Sequence, residues 1–105
     1  MDVMVTYDGV TRTVAIHGDE VLIGRKSSNN EPDLDLSPDK SVSRRHAKLW
    51  LDHGKYWIED LDSTLGVAVN GLKRPKSQIT FGDLIDIGRT RLQLLPTRVN
   101  DLVSG

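Results

Sequence analysis

Alternating apolar and polar residues run through most of the chain and predict short β-strands rather than helices. Val3, Val5 and Tyr7 fall on one side of a segment with a period of two, which is the spacing of a half-buried strand. Asp8-Gly9 follows at once and is typical of a two-residue hairpin turn. The β-branched segment 11–16 is therefore the predicted return strand.

The same pattern continues to residue 95. Asn70-Gly71 and the segment 52–55 are further hairpin signals, and no window has the apolar spacing of a long amphipathic helix. More strands are predicted at 21–23, 34–36, 46–51, 56–60, 67–69, 85–87 and 92–95. Many short strands with regular turns favour an all-β sandwich. We predict this domain over residues 1–96, with a polar tail or linker over residues 97–105.

Composition limits the classes of function. The 105 residues include 37% hydrophobic and 28% charged residues and no cysteine, which indicates an ordinary globular domain without disulfides or thiolate metal sites. The three histidines are scattered, so neither a metal nor another cofactor is expected. A net charge of −1 gives no general attraction to nucleic acid. The apolar runs are too short to cross a membrane, and a cytoplasmic location is expected by default.

Three polar segments come directly after or before predicted strands: Gly24-Arg25, residues 43–46 and residues 60–66. Loops at one end of a sandwich cluster in space and often carry the binding function. Together these loops would present guanidinium groups, hydroxyls and backbone N–H groups near glycine. Arginine forks and hydroxyl donors suit the oxygens of a phosphate group, so a local phosphate site is a reasonable hypothesis.

The order of these segments, followed by Val69-Asn70-Gly71 and by residues 82–88, resembles the forkhead-associated (FHA) domain family. The resemblance extends from about residue 21 to about residue 95. It implies a sandwich of two twisted antiparallel sheets whose end loops bind phosphothreonine peptides. The implied partner is a protein phosphorylated by a Ser/Thr kinase, and the implied module is not an enzyme.

The resemblance also implies roles for individual positions. Positions that contact the phosphate in the family match Arg25, Ser43, Arg44 and Thr64. Positions that support the loops match Gly24, His46 and Asn70. We expect the four phosphate-contacting side chains to converge at one end of the sandwich. We also expect a buried His46 that is hydrogen-bonded to loop backbone, whereas Arg45 should face solvent.

The chain departs from the family pattern at Leu65. The family usually has an asparagine there, which hydrogen-bonds the backbone of the bound peptide, and a leucine side chain cannot do so. Leu65 and Gly66 are still the expected peptide-contacting residues, with Gly66 allowing a close approach of backbone. The departure predicts a weakened phosphopeptide binder.

Two alternatives are left open by the residues themselves. A phosphate-independent interaction or scaffolding domain would use Leu65 as an apolar contact. Ser43 and His46 could instead belong to a hydrolase triad, but the chain has no nucleophile elbow, and the spacing suits a structural imidazole better.

Overall fold

Residues 1–96 are described by a computed structural model, and they form eleven strands and no helix. The predicted tail, residues 97–105, lies outside the described residues. The strands in chain order are β1 (Asp2–Tyr7), β2 (Val10–Ala15), β3 (Glu20–Gly24), β4 (Leu34–Asp35), β5 (Ala47–Asp52), β6 (Lys55–Asp60), β7 (Val67–Val69), β8 (Leu72–Lys73), β9 (Lys76–Ile79), β10 (Ile85–Ile87) and β11 (Thr90–Leu95).

The strands form two sheets, which confirms the predicted all-β sandwich. One sheet has the order β2-β1-β11-β10-β7-β8, and the other has the order β4-β3-β5-β6-β9. Nearly all neighbours are antiparallel, but β4 pairs with β3 in parallel, with Ile23 opposite Leu34. This exception arises because the long loop over residues 25–33 carries the chain back alongside β3. The two-residue edge strand β4 can then run in the same direction as the end of β3.

The core lies between the inner faces of the two sheets. On β5, Ala47 and Leu49 are buried while Lys48 and Trp50 are only partly buried, as a period of two requires. The buried apolar residues are Val3, Val5, Ile16, Val21, Ile23, Leu34, Leu36, Val42, Ala47, Leu49, Ile58, Val67, Val69, Ile79, Ile85, Ile87, Leu92 and Leu94. They come from every part of residues 3–94, so both sheets depend on one shared core.

The β1–β2 hairpin has the turn that its sequence predicts. Asp8 and Gly9 both have positive φ, at 52° and 77°, as a type I′ turn requires. The register pairs Tyr7 with Val10 directly across the turn. Asn70 and Gly71 make the same kind of turn between β7 and β8.

Two strands were missed by the sequence analysis: the two-residue strand β8, which follows the Asn70-Gly71 turn, and β9. β9 has the sequence KSQI and buries only Ile79 fully, so it carries almost no apolar alternation. It forms because Tyr56 to Glu59 of β6 offer four residues for pairing. Within residues 1–96, no helix has the length and apolar character needed to cross a bilayer.

Candidate functional site

The last residue of β3 brings two loops into contact at one end of the sandwich. Gly24 has no side chain, and a β-carbon built there would lie 2.8 Å from the carbonyl carbon of Arg44 and overlap its oxygen. The N–H of Arg25 donates to the carbonyls of Ser43 (3.2 Å) and Arg44 (3.3 Å). The backbone of the β4–β5 loop therefore lies directly against the start of the β3–β4 loop.

Arg25 is half-buried in this contact. Its Nε donates to the carbonyl of Val42 at 3.0 Å, which fixes the plane of the guanidinium. No other side-chain bond of Arg25 occurs in residues 1–96, so both terminal nitrogens remain free to donate. A guanidinium held in this way offers a fork that matches two oxygens of a phosphate.

His46 joins the β4–β5 and β6–β7 loops from inside. It is fully buried, its Nδ1 accepts from the N–H of Ser43 (3.0 Å), and its Nε2 lies 2.8 Å from the carbonyl oxygen of Gly66. Since an amide can only donate, Nδ1 is unprotonated and the ring proton is on Nε2. This is the buried, backbone-bonded imidazole that the sequence predicted.

The same geometry argues against a hydrolase triad. Both ring nitrogens of His46 are bonded to backbone groups, so neither is free to take a proton from the Ser43 hydroxyl. No carboxylate bonds to the imidazole in the described residues. A triad needs a ring nitrogen that is free to act as the base and a carboxylate that orients the ring. His46 has neither within the described residues.

The β6–β7 loop is shaped by Asp60 and Ser63. The carboxylate of Asp60 accepts from the N–H and the hydroxyl of Ser63, and the Ser63 oxygen accepts from the N–H of Gly66 at 2.8 Å. Both backbone groups of Gly66 are thus used inside the protein, and a β-carbon built there would lie 3.3 Å from the side chain of Lys73. The N–H of Gly66 is therefore not free for a ligand, and the expected close approach of a peptide to Gly66 stays a prediction.

Ser43 and Thr64 meet across these loops. The N–H of Thr64 donates to the Ser43 oxygen at 3.2 Å. That oxygen is an acceptor in the bond, so the Ser43 hydroxyl proton remains free to donate outward. The side chain of Thr64 is exposed and adds a second hydroxyl beside it.

These residues line one open cavity of about 240 Å³, formed by Arg25, Lys40, Ser41, Val42, Ser43, Thr64 and Leu65. Three of the four predicted phosphate contacts are therefore brought together, with Leu65 at the same place. Arg44 lines a neighbouring cavity with Arg45 and Asn30, so its contact with the same phosphate stays a prediction. Lys40 was not singled out by the sequence analysis, because a lysine in a polar loop has no distinguishing pattern.

Asn70 bonds to the loop that precedes β10. Its side chain accepts from the N–H of Leu84 (2.9 Å) and donates to Asp83 (3.1 Å), and these residues precede β10. It lies at the other end of β7 from Gly66 and bonds to none of the cavity residues. Asn70 is thus a loop-supporting residue, but for residues 80–84.

A buried carboxylate anchors the segment that carries Lys40 and Ser43. Asp39 is 1% exposed. One oxygen accepts from the N–H and hydroxyl of Ser41, and the other accepts from the N–H of Arg89 (2.9 Å) and the hydroxyl of Thr90 (2.7 Å). Asp39 therefore ties the β4–β5 loop to the β10–β11 turn. The sequence signal is the spacing Asp39-x-Ser41, which is typical of an Asx turn.

The pKa of Asp39 lies below its ordinary value of 3.8. Burial alone would raise this pKa, but the bonds from Ser41, Thr90 and Arg89 stabilise the carboxylate more. The folded protein therefore binds this proton less readily than the unfolded chain. Its contribution to stability is present above about pH 4 and is lost as the pH falls through the lowered pKa.

We expect Asp39→Asn to lower the free energy of unfolding at pH 7 by about 2–4 kcal/mol, because an amide cannot accept all four bonds. The variant should also lose stability less steeply than the wild type between pH 5 and pH 3. Urea unfolding over this range is the measurement. Asp8→Asn, in an exposed turn that accepts asparagine, is the control; equal pH profiles for all three proteins would contradict the assignment.

Within residues 1–96 no group of three histidine, aspartate or glutamate side chains is placed to hold a metal ion. The donors that line the cavity are cations and hydroxyls instead, and these suit an anionic ligand.

The chain is thus a β-sandwich whose loops at one end carry cationic and hydroxyl-bearing side chains. The family model described as FHA domain matches residues 21–88, and the chain belongs to this family. The glycogen accumulation regulator GarA of Mycolicibacterium smegmatis is 36% identical over 70 residues, which are 66% of this chain and 44% of GarA. The chain thus spans about half the length of the curated relatives it matches.

Two solved structures extend the comparison to the fold. The FhaA FHA domain, in complex with the intracellular domain of Rv3910, has a TM-score of 0.72 at 32% identity and covers 87% of this chain and 97% of that one. A structure from a study of phosphothreonine-dependent FHA domain interactions has a TM-score of 0.68 at 28% identity, covering 92% of this chain and all of that one. FHA domains are thus known in phosphothreonine-dependent interactions.

Proposed function

We propose that this domain binds a phosphothreonine-containing segment of another protein in the Arg25 cavity, and that it does so without catalysing a reaction. The observation that carries the proposal is the convergence of free donors on one cavity. Arg25, Ser43 and Thr64 are brought there from three separate loops. Each keeps donor capacity toward solvent after its internal bonds are counted.

A phosphate group matches this set of donors. It carries about −1.5 to −2 charges and three acceptor oxygens. The Arg25 guanidinium can donate to two phosphate oxygens. The hydroxyls of Ser43 and Thr64 can donate to the third oxygen or to a second lone pair of the other two. Lys40 adds a second positive charge to the lining, so the local charge is positive although the whole chain has a net charge of −1.

The comparisons support a phosphorylated protein as the partner. The FhaA FHA domain was solved with a protein domain bound, and Mycobacterium tuberculosis EmbR, of which this chain covers 24%, was solved with a low-affinity phosphopeptide. We extend this kind of partner to the present chain. The proposal includes no cofactor, no nucleic acid and no membrane surface.

The direct test is binding to a degenerate library of phosphothreonine peptides. The best peptide would then be titrated by calorimetry beside its unphosphorylated twin and its phosphoserine twin. We expect binding of the phosphothreonine peptide and no measurable binding of the unphosphorylated one. Equal affinity for both would contradict the proposal.

The phosphate-independent alternative is favoured by one observation. Leu65 is 46% exposed at the rim of the cavity, so it does not contribute to the core and is available to an apolar group. A scaffolding domain of this kind would bind its partner with or without phosphate. The twin peptides distinguish the two functions.

We expect Leu65→Asn to bind phosphothreonine peptides about five- to a hundredfold more tightly than the wild type. Asparagine can make two hydrogen bonds with a peptide backbone, each contributing about 0.5–1.5 kcal/mol. Calorimetry against a panel of phosphothreonine peptides measures the change. Leu65→Ala is the control, because it removes the apolar contact without adding a donor.

The pair of variants also separates the two roles of this position. Weaker binding by both variants would show that Leu65 packs against an apolar residue of the ligand. Tighter binding by Leu65→Asn alone would support the missing peptide bond. Unchanged affinity in both variants would mean that Leu65 does not contact the ligand.

A further inference from the structure

A second cavity lies beside the Arg25 cavity and shares Ser43 with it. It has a volume of about 470 Å³ and is lined by Ser27, Asn29, Asn30, Ser43, Arg44 and Arg45. We call it the Arg44 cavity. Like the first cavity, it combines cationic and neutral donors, and it brings the β3–β4 and β4–β5 loops together.

The two arginines of this cavity are free to take an anion. Arg44 and Arg45 are exposed, and neither forms an ion pair within residues 1–96. The backbone of Arg44 is nevertheless held in place, because the side-chain amide of Asn30 donates to the carbonyls of Arg44 (2.6 Å) and Arg25 (3.3 Å). The β3–β4 and β4–β5 loops are therefore tied together beside the two guanidinium groups.

An unpartnered hydroxyl independently points to a ligand in the same cavity. The Oγ of Ser27 is buried and has no hydrogen-bond partner, and it is the one such side-chain atom in the described part of the chain. Buried polar groups without a partner are uncommon because each one is costly. Rotation of the Ser27 side chain about its Cα–Cβ bond would turn this hydroxyl toward an acceptor bound in the Arg44 cavity.

The surroundings limit the size of the ligand. On its other side, Arg45 borders a groove in which the carboxylates of Glu20 and Asp33 balance the charges of Arg45 and Lys48. The excess of positive charge in the Arg44 cavity therefore does not continue into this groove. This arrangement suits one anionic group and disfavours a long polyanion such as nucleic acid.

We propose that the Arg44 cavity binds a second anionic group of the same ligand, a carboxylate or a second phosphate, close to the phosphothreonine. The inference rests on the proposed function of the Arg25 cavity. Adjacent residues of an extended segment are spaced by about 3.3 Å, and the two cavities share a residue. The second anion therefore lies about one to three residues from the phosphothreonine.

Calorimetry with a peptide series tests this site. The parent peptide carries one phosphothreonine and no other charged side chain; the series adds one glutamate, or one phosphoserine, at each of three positions on either side. The variant carries Ser27→Ala and Arg45→Gln, which lie outside the Arg25 cavity. At one or more positions the acidic residue should tighten binding to the wild-type protein by about three- to tenfold. The variant should lose this gain, but it should bind the parent peptide with the same affinity as the wild type. A larger gain for phosphoserine than for glutamate identifies phosphate as the preferred group.

The possible failures are distinguishable. If the parent binds but no acidic residue helps, or the gain is the same in the variant, the second site is wrong and the proposed function stands. If the parent does not bind, the proposed function fails. Titration with inorganic phosphate, followed by NMR, then tests the Arg44 cavity without a peptide. Amide signals of residues 27–30 should shift in the wild type and not in the variant. Shifts confined to residues of the Arg25 cavity would overturn the inference.

Discussion

Arg25→Ala should weaken binding of a phosphothreonine peptide about ten- to a hundredfold or more. A hydrogen bond to a charged group contributes about 1.5–3 kcal/mol, and the free end of the Arg25 guanidinium can make two of them. Each 1.4 kcal/mol corresponds to a factor of ten in affinity. Calorimetry at low and moderate salt measures the loss, and affinity of the wild type should fall with salt because the cavity is open to solvent.

Two further variants make this result specific to the cavity. Arg91→Ala removes the same charge from an exposed ion pair with Asp86 on the six-stranded sheet, and it should bind as the wild type does. Arg25→Lys keeps the charge but lacks the planar fork that grips two phosphate oxygens, so an intermediate affinity is expected. Thermal unfolding of each variant checks that the lost Nε bond to Val42 has not disrupted the loop. Equal affinity of Arg25→Ala and wild type would contradict the proposed function.

Most of the fold could be predicted from the sequence because burial leaves a strong period of two. β1, β5 and β10 each alternate clearly between buried and partly buried positions, and each ends near a turn that glycine or asparagine marks. β9 could not be predicted in this way. Its pairing partner β6 supplies the hydrogen bonds, and only Ile79 reaches the core.

The candidate site was partly predictable for a different reason. Arg25, Ser43 and Thr64 occupy short motifs whose order resembles a family, and such an order carries information that single residues do not. The bond from the Asn30 side chain to the Arg44 carbonyl has no such signal, since it joins two loops that are 14 positions apart. The burial of Asp39 likewise depends on Arg89 and Thr90, some 50 positions away.

Gly24→Ala should cost about 3 kcal/mol or more in free energy of unfolding, although the backbone of Gly24 does not have the positive φ that favours glycine. The new β-carbon would overlap the carbonyl of Arg44 and lie 3.2 Å from the carbonyl oxygen of Ser43. Both are backbone atoms, which cannot move aside as the end of a flexible side chain can, and overpacking of this kind is strongly destabilising. Urea unfolding is the measurement.

Gly9→Ala is the control variant, because it distinguishes the cost of a steric clash from the cost of an alanine at positive φ. Gly9 has a φ of 77° but no atom within 4 Å of a built β-carbon, so its replacement should cost only about 1 kcal/mol. Gly24→Ala should therefore be clearly the less stable of the two. Moving Ser43 and Arg44 away from β3 also separates Ser43 from Arg25, so any folded Gly24→Ala protein should bind phosphothreonine peptide more weakly than Gly9→Ala does. A Gly24→Ala protein as stable as Gly9→Ala, with unchanged binding, would show that the two loops do not need this contact to form the cavity.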